Sequence, residues 1–158
     1  MTRPAPQPAD RAPGTAVLVA LGWGAFVVAA NGFLSLLTGL EVVPLHGAGP
    51  LVGPVAIAVA LLLLLGRLLL GGRSGWLVLE CGVLVYLALL LVGALGYLLV
   101  RGAPADGLLY LSSAALSPFT LVETALALVG GFLFVLVVRA RAAGAGTPRW
   151  PWERDDGP

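Results

Sequence analysis

Two carboxylates lie inside apolar sequence, and their neighbours decide whether they could do chemistry. Glu123 sits in the run LVETALALVGGF. Ser113, Ser117, Thr120 and Thr124 recur around it at spacings of four, three and four, one stripe of a helix. Asn31, Ser35 and Thr38, spaced four and three, form a matching stripe near the end of the first apolar run. Glu41 and His46 follow in the adjoining segment. A cluster built from both stripes and open to the outside would make Glu123 a proton-exchanging or ion-binding group, with Asn31, Ser35, Thr120 and Thr124 as its ligand set. Two plainer readings stand beside it. A neutral Glu123 bonded to Asn31 or to a hydroxyl would simply fasten helices together, and a shifted span boundary would expose it to water.

The second carboxylate is Glu80. Arg73 lies seven residues before it on the same helical face, and Arg67 ends the preceding apolar run. This set reads as a structural ion pair at a membrane boundary.

Other chemistry is thinly supplied. Cys81 is the one cysteine, so no internal disulfide can form and a thiol oxidoreductase is excluded. His46 is the one histidine, which excludes a bis-histidine haem and a zinc site built on paired histidines. No phosphate loop, serine-hydrolase elbow, HExxH or paired-aspartate signature occurs. The expectation is a protein with no catalytic residues, no cofactor and no metal, not an enzyme. A net charge of +1 gives no field to attract nucleic acid.

The elements that must position these residues are apolar helices. The chain has 158 residues, 59% hydrophobic and 11% charged, with mean hydropathy +0.99, beyond what a soluble domain of this size carries. About 20 apolar residues cross the roughly 30 Å of bilayer hydrocarbon as a helix. Four runs qualify, at about 15–38, 50–70, 75–100 and 118–138. Lipid offers no partner for backbone polar groups, and the runs are continuous rather than alternating, so helices are expected and a barrel is not. The fold class is therefore all-α, a four-transmembrane-helix antiparallel bundle with short loops, occupying 15–139. Segments 1–14 and 140–158, rich in Pro, Gly and charge, read as disordered tails. Trp150 and Trp152 could alternatively sit among lipid headgroups.

The arginines sort by side. Arg3, Arg11, Arg67, Arg73, Arg139, Arg141, Arg149 and Arg154 fall on one side, and Arg101 alone falls on the other. The positive-inside rule puts both termini in the cytoplasm of a multi-pass plasma-membrane protein. A cleaved first segment after Ala30 is the rival, though its apolar run continues ten residues farther.

The second span begins within GPLVGP, at Pro50 or Pro54. The link GGRSG is so short that spans two and three must be antiparallel neighbours. The last apolar stretch exceeds one upright span, and Ser117-Pro118 is a natural break, Ser as N-cap and Pro as first residue. A short interfacial helix at about 107–116, capped by Asp106, would precede the fourth span. One long helix kinked at Pro118 is the alternative.

The segment GFLSLLTGLEVVPLHGAGPLVGPV, residues 32–55, resembles part of an uncharacterised actinobacterial family of small four-helix integral membrane proteins. LSPFTL at 116–121 fits the same likeness. The resemblance implies the architecture and no activity, and it directs attention to Glu41, Gly49, Pro50, Gly53 and Pro54. Together these features point to a non-catalytic accessory or regulatory membrane subunit embedded in the bilayer. A small oligomeric proton- or ion-coupled transporter or channel using Glu123 is the alternative. Either reading allows a homo-oligomer or a larger membrane complex.

Overall fold

A computed structural model describes residues 12–43, 49–72 and 74–143. The described chain is all-helical: α1 (Pro13–Thr38), α2 (Val52–Leu69), α3 (Trp76–Arg101), α4 (Pro104–Ala115) and α5 (Pro118–Ala142). Four of these, α1, α2, α3 and α5, are long and apolar enough to cross a membrane. At 1.5 Å per residue even α2, the shortest at 18 residues, reaches about 27 Å. Residues 1–11, 44–48, 73 and 144–158, which include His46, Arg73, Trp150, Trp152 and most of both expected tails, lie outside the described residues; the tail bounds move, because α1 already takes in Pro13 and Gly14 and α5 carries on through Ala140–Ala142.

The four long helices form a ring in the order α1, α2, α3, α5. α1 packs on α2 and α5, and α3 packs on α2 and α5, with no α1–α3 contact among the described residues. The short α2–α3 turn makes that pair antiparallel, and the Val19–Gly130 and Asn31–Glu123 pairings run α1 and α5 antiparallel too. The turn between α2 and α3 is tight enough to put Gly71 at φ 75°, a left-handed conformation that a side chain would oppose. Inward stripes fill the ring: Ala16, Ala20, Trp23, Val27 and Asn31 on α1, and Phe119, Glu123, Ala127, Phe134 and Val138 on α5. At the end that holds both termini the filling is solid and apolar, with Leu64, Leu68, Leu77, Phe134 and Val138 almost fully enclosed.

The chain breaks at Ser117–Pro118 rather than running through as one kinked helix. Ser117 is extended (φ −63°, ψ 135°), and Pro118, which lacks an N–H, starts α5. Ser117 is the N-cap residue without a side-chain capping bond. α4 starts at Pro104, earlier than the expected 107, because a second proline with its preset φ opens it too. Asp106 thus falls in the first turn, 3.8 Å from Arg101, instead of capping the helix. α2 begins at Val52, with Pro54 in its first turn, where a missing N–H costs no hydrogen bond.

α4 lies against α3 over a second apolar cluster of Val52, Leu90, Ala94, Tyr97, Tyr110 and Ala114. Gly93 makes this approach feasible, since a Cβ there would collide with the Tyr110 ring. Tyr97 and Tyr110 stack tilted with centroids 5.9 Å apart, and Tyr86 donates its hydroxyl to Ala115 O at 3.1 Å. The Gly82–Tyr86–Gly93–Tyr97 stripe of α3 is thus a packing seam for α4 and α5.

Gly93→Ala should lower the stability of the detergent-solubilised protein by about 1–3 kcal/mol, because the ring must move. Gly22→Ala, whose Cβ meets nothing within 4 Å, should be neutral or stabilising. Thermal unfolding of the two variants side by side checks this, and equal effects would contradict it.

Candidate functional site

The site grows from the contact of α1 with α5. Burial on α1 recurs at Ala16, Ala20, Trp23, Val27 and Asn31, so the last inward position of that stripe is polar. On α5 the same geometry turns Glu123 inward one turn past Phe119. The two meet: Asn31 Nδ2 donates to Glu123 Oε1 at 2.5 Å. Asn31 is 5% exposed and Glu123 3%. Trp23 Nε1 donates to the Glu123 carbonyl at 3.1 Å, so α1 grips this residue of α5 twice. Asn31 Oδ1 is buried and has no hydrogen-bond partner among the described residues.

Four other hydroxyls of the two stripes bond main-chain carbonyls close by in sequence. Thr124 Oγ1 donates to Thr120 O at 2.7 Å, and Ser113 Oγ to Tyr110 O at 3.0 Å. Ser35 Oγ donates to Leu40 O at 2.9 Å and Thr38 Oγ1 to Leu34 O at 2.7 Å, closing the end of α1. A hydroxyl in an apolar helix has a carbonyl one turn back on its own chain within reach. Of the expected ligand set, Asn31 and Glu123 touch, and Thr120 lines the same cavity as Glu123. Ser35 and Thr124 are engaged elsewhere.

Three neighbouring cavities surround Glu41, Val42 and Val43. One of about 20 Å³ is lined by Glu123, Thr120 and Tyr110 together with apolar side chains. A wider one of about 390 Å³ is lined by Asn31 and by Glu41, Gly49, Pro50, Gly53 and Pro54. Val42, Val43, Gly53 and Ile57 border both. A third, about 420 Å³, reaches from Glu41 to Ser113 and Ser117. The five loop residues singled out from the sequence therefore gather at one cavity beside Asn31.

Glu80 belongs to the opposite end of the bundle. Arg67 Nε donates to Glu80 Oε2 at 2.7 Å, its Nη2 contacts the same oxygen, and its Nη1 donates to Gly71 O at 3.0 Å. The pair ties α2 to α3 beside their turn, and both side chains keep partial exposure. Arg73, the other expected partner, lies outside the described residues. Cys81 is buried and free. No group of three His, Cys, Asp or Glu side chains that could hold a metal occurs among the described residues.

The Trp23 bond and the Gly93–Tyr110 seat are not marked by any motif. A backbone carbonyl is available at every residue, so an indole N–H gives no sequence sign of which one it will reach. The position of Trp23 on the inward stripe, two turns before Asn31, was the usable signal.

Glu123→Gln should keep an acceptor for Asn31 and leave stability near that of the unaltered protein. Glu123→Ala should cost about 1–3 kcal/mol by stranding the Asn31 amide. Reversible unfolding in detergent measures both, and an alanine variant as stable as the glutamine one would contradict the contact.

No curated protein and no solved structure matches this chain. A family of unknown function (DUF6121) matches residues 11–158, which extends the likeness first noted at 32–55 along almost the whole sequence. The chain belongs to that family of unknown function.

Proposed function

We propose that this membrane protein is a non-catalytic accessory or regulatory subunit of a larger assembly in the plasma membrane, with both termini cytoplasmic. The observation that carries this reading is the distribution of apolar surface. The end of the ring nearest the termini is packed solid, whereas the lipid-level faces present large apolar side chains outward, with α1 the least enclosed of the four spans. A bundle of this kind has little interior left for substrate and much exterior left for lipid and partner helices. The orientation rests on the arginine bias. In it α4, the α1–α2 connection and the Glu123 site face outward.

A second reading, a proton- or ion-coupled transporter or channel working as an oligomer, draws support from the outer cavities and the unused Asn31 Oδ1. Its difficulty is the solid half beneath Glu123, which would force any through-path to run between copies.

Two measurements test the proposal. Reporter fusions at each terminus should both read cytoplasmic, and opposite readings would overturn the orientation. In mildly solubilised native membranes the chain should migrate in an assembly well above its own 16.1 kDa. Ala25→Trp or Ala29→Trp on the exposed face of α1 should dissolve that assembly while the helical content is unchanged. A chain that is monomeric in native membranes, or that alone sustains a solute flux in vesicles, would contradict the subunit reading.

A further inference from the structure

Ser117 stands at the N-cap of α5 without capping it. A serine there ordinarily accepts a hydrogen bond from a first-turn N–H. Here the hydroxyl makes no hydrogen bond among the described residues, although the residue is only 7% exposed. The first-turn N–H groups of α5 have no intrahelical partner, and no side chain caps them. This end of α5 therefore carries unused donors and the positive pole of a 25-residue helix.

Ser117 and Phe119 line the cavity of about 420 Å³ that reaches to Glu41. Glu41 brings a carboxylate to it and Ser113 of α4 a hydroxyl. Ser113 Oγ donates to Tyr110 O at 3.0 Å, so its lone pairs remain for a donor. No basic residue lines the cavity. Arg101, the one basic group at this end among the described residues, faces Asp106 instead, at 3.8 Å. Leu40, Leu116 and Phe119 supply apolar wall.

A cavity of this size suits a small organic molecule. The carboxylate without a basic neighbour selects a positive group. Unused donors at a helix start select an anionic oxygen. A simple cation would leave the α5 donors unmatched, and a simple anion would be repelled by Glu41. A molecule that carries both charges close together satisfies both poles.

We infer that this cavity binds a small zwitterion. Its ammonium sits on Glu41 and Ser113, and its anionic oxygen sits on Ser117 Oγ and the first-turn N–H groups of α5. Its apolar body lies against Leu40, Leu116 and Phe119. An apolar α-amino acid and the headgroup of an ethanolamine phospholipid share this chemistry. The bound molecule bridges the segment after α1 to the α4–α5 break. The inference is independent of whether the chain serves as a subunit.

The test uses the full chain purified in lipid-free neutral detergent, with its melting temperature followed at neutral pH and constant ionic strength. Leucine is compared with leucinamide, which has the ammonium alone, and with N-acetylleucine, which has the carboxylate alone. Phosphatidylethanolamine, compared with phosphatidylglycerol in the same micelles, tests the lipid source. At about 100 times its Kd the zwitterion should raise the melting temperature by about 5–10 °C. A shift with leucine supports the site and assigns it to a free amino acid. A shift with phosphatidylethanolamine alone supports it and assigns it to a headgroup. Glu41→Gln alters an exposed side chain and should fold normally. It should weaken binding by about tenfold or more, the loss expected for a hydrogen bond to a charged group. Ser117→Ala, which removes no capping bond, should weaken it several-fold. An equal response to leucinamide or N-acetylleucine overturns the proposal, as does a response unchanged in Glu41→Gln. A melting temperature indifferent to both leucine and phosphatidylethanolamine overturns it as well.

Discussion

Inside hydrocarbon a polar group has no solvent to fall back on, and this constraint shapes every feature of the protein. Backbone groups meet it by forming helices. Side chains meet it in one of two ways, turning back on their own helix or finding a partner across an interface. Glu123 and Asn31 take the second way, and their bond joins α1 to α5 far apart in sequence. The Trp23 indole reinforces the joint from the same face of α1. At the opposite end the Arg67–Glu80 pair ties α2 to α3 beside their short turn. The two polar links thus sit at opposite ends of the bundle and on different helix pairs, with apolar packing between them.

Packing completes what the polar links begin. α3 is the hub, touching α2, α4 and α5, and its glycines set how near the others come. Gly82 receives Leu128 from α5, and Gly93 receives the Tyr110 ring from α4. Gly131 of α5 brings that helix to the Cys81 side chain, which explains why a small, inert residue sits at position 81. Helices in lipid gain little from burying apolar surface against each other, so close approach at small residues carries much of the association.

The architecture was readable in the residues because length and continuous apolarity leave a helix no alternative in lipid. The break at Ser117–Pro118 was readable for the same local reason, since proline cannot continue the hydrogen-bond ladder. Position within the bundle was harder. The stripes named Ser35, Thr120 and Thr124 as companions of Glu123, yet hydroxyls have a carbonyl one turn back that always competes, and Ser35 and Thr124 bond to main-chain carbonyls of their own neighbourhood. Asn31, a longer amide on the inward stripe, bonds across the interface instead. The loop residues Glu41, Gly49, Pro50, Gly53 and Pro54 carried a family likeness without a physical reason. Their meeting around one cavity beside Asn31 supplies one. α4 starts three residues before the expected 107 because Pro104, with its preset φ, serves as a first helical residue.

The central claim is that α1 and α5 are joined by a specific contact between Asn31 and Glu123 in the lipid layer. A double-mutant cycle tests it most directly, with Asn31→Ala, Glu123→Ala and the pair compared by reversible unfolding in detergent. The account predicts a coupling of about 0.6–1.7 kcal/mol, the range of interhelical hydrogen bonds in membranes. Additive single effects, with no coupling beyond error, would contradict it.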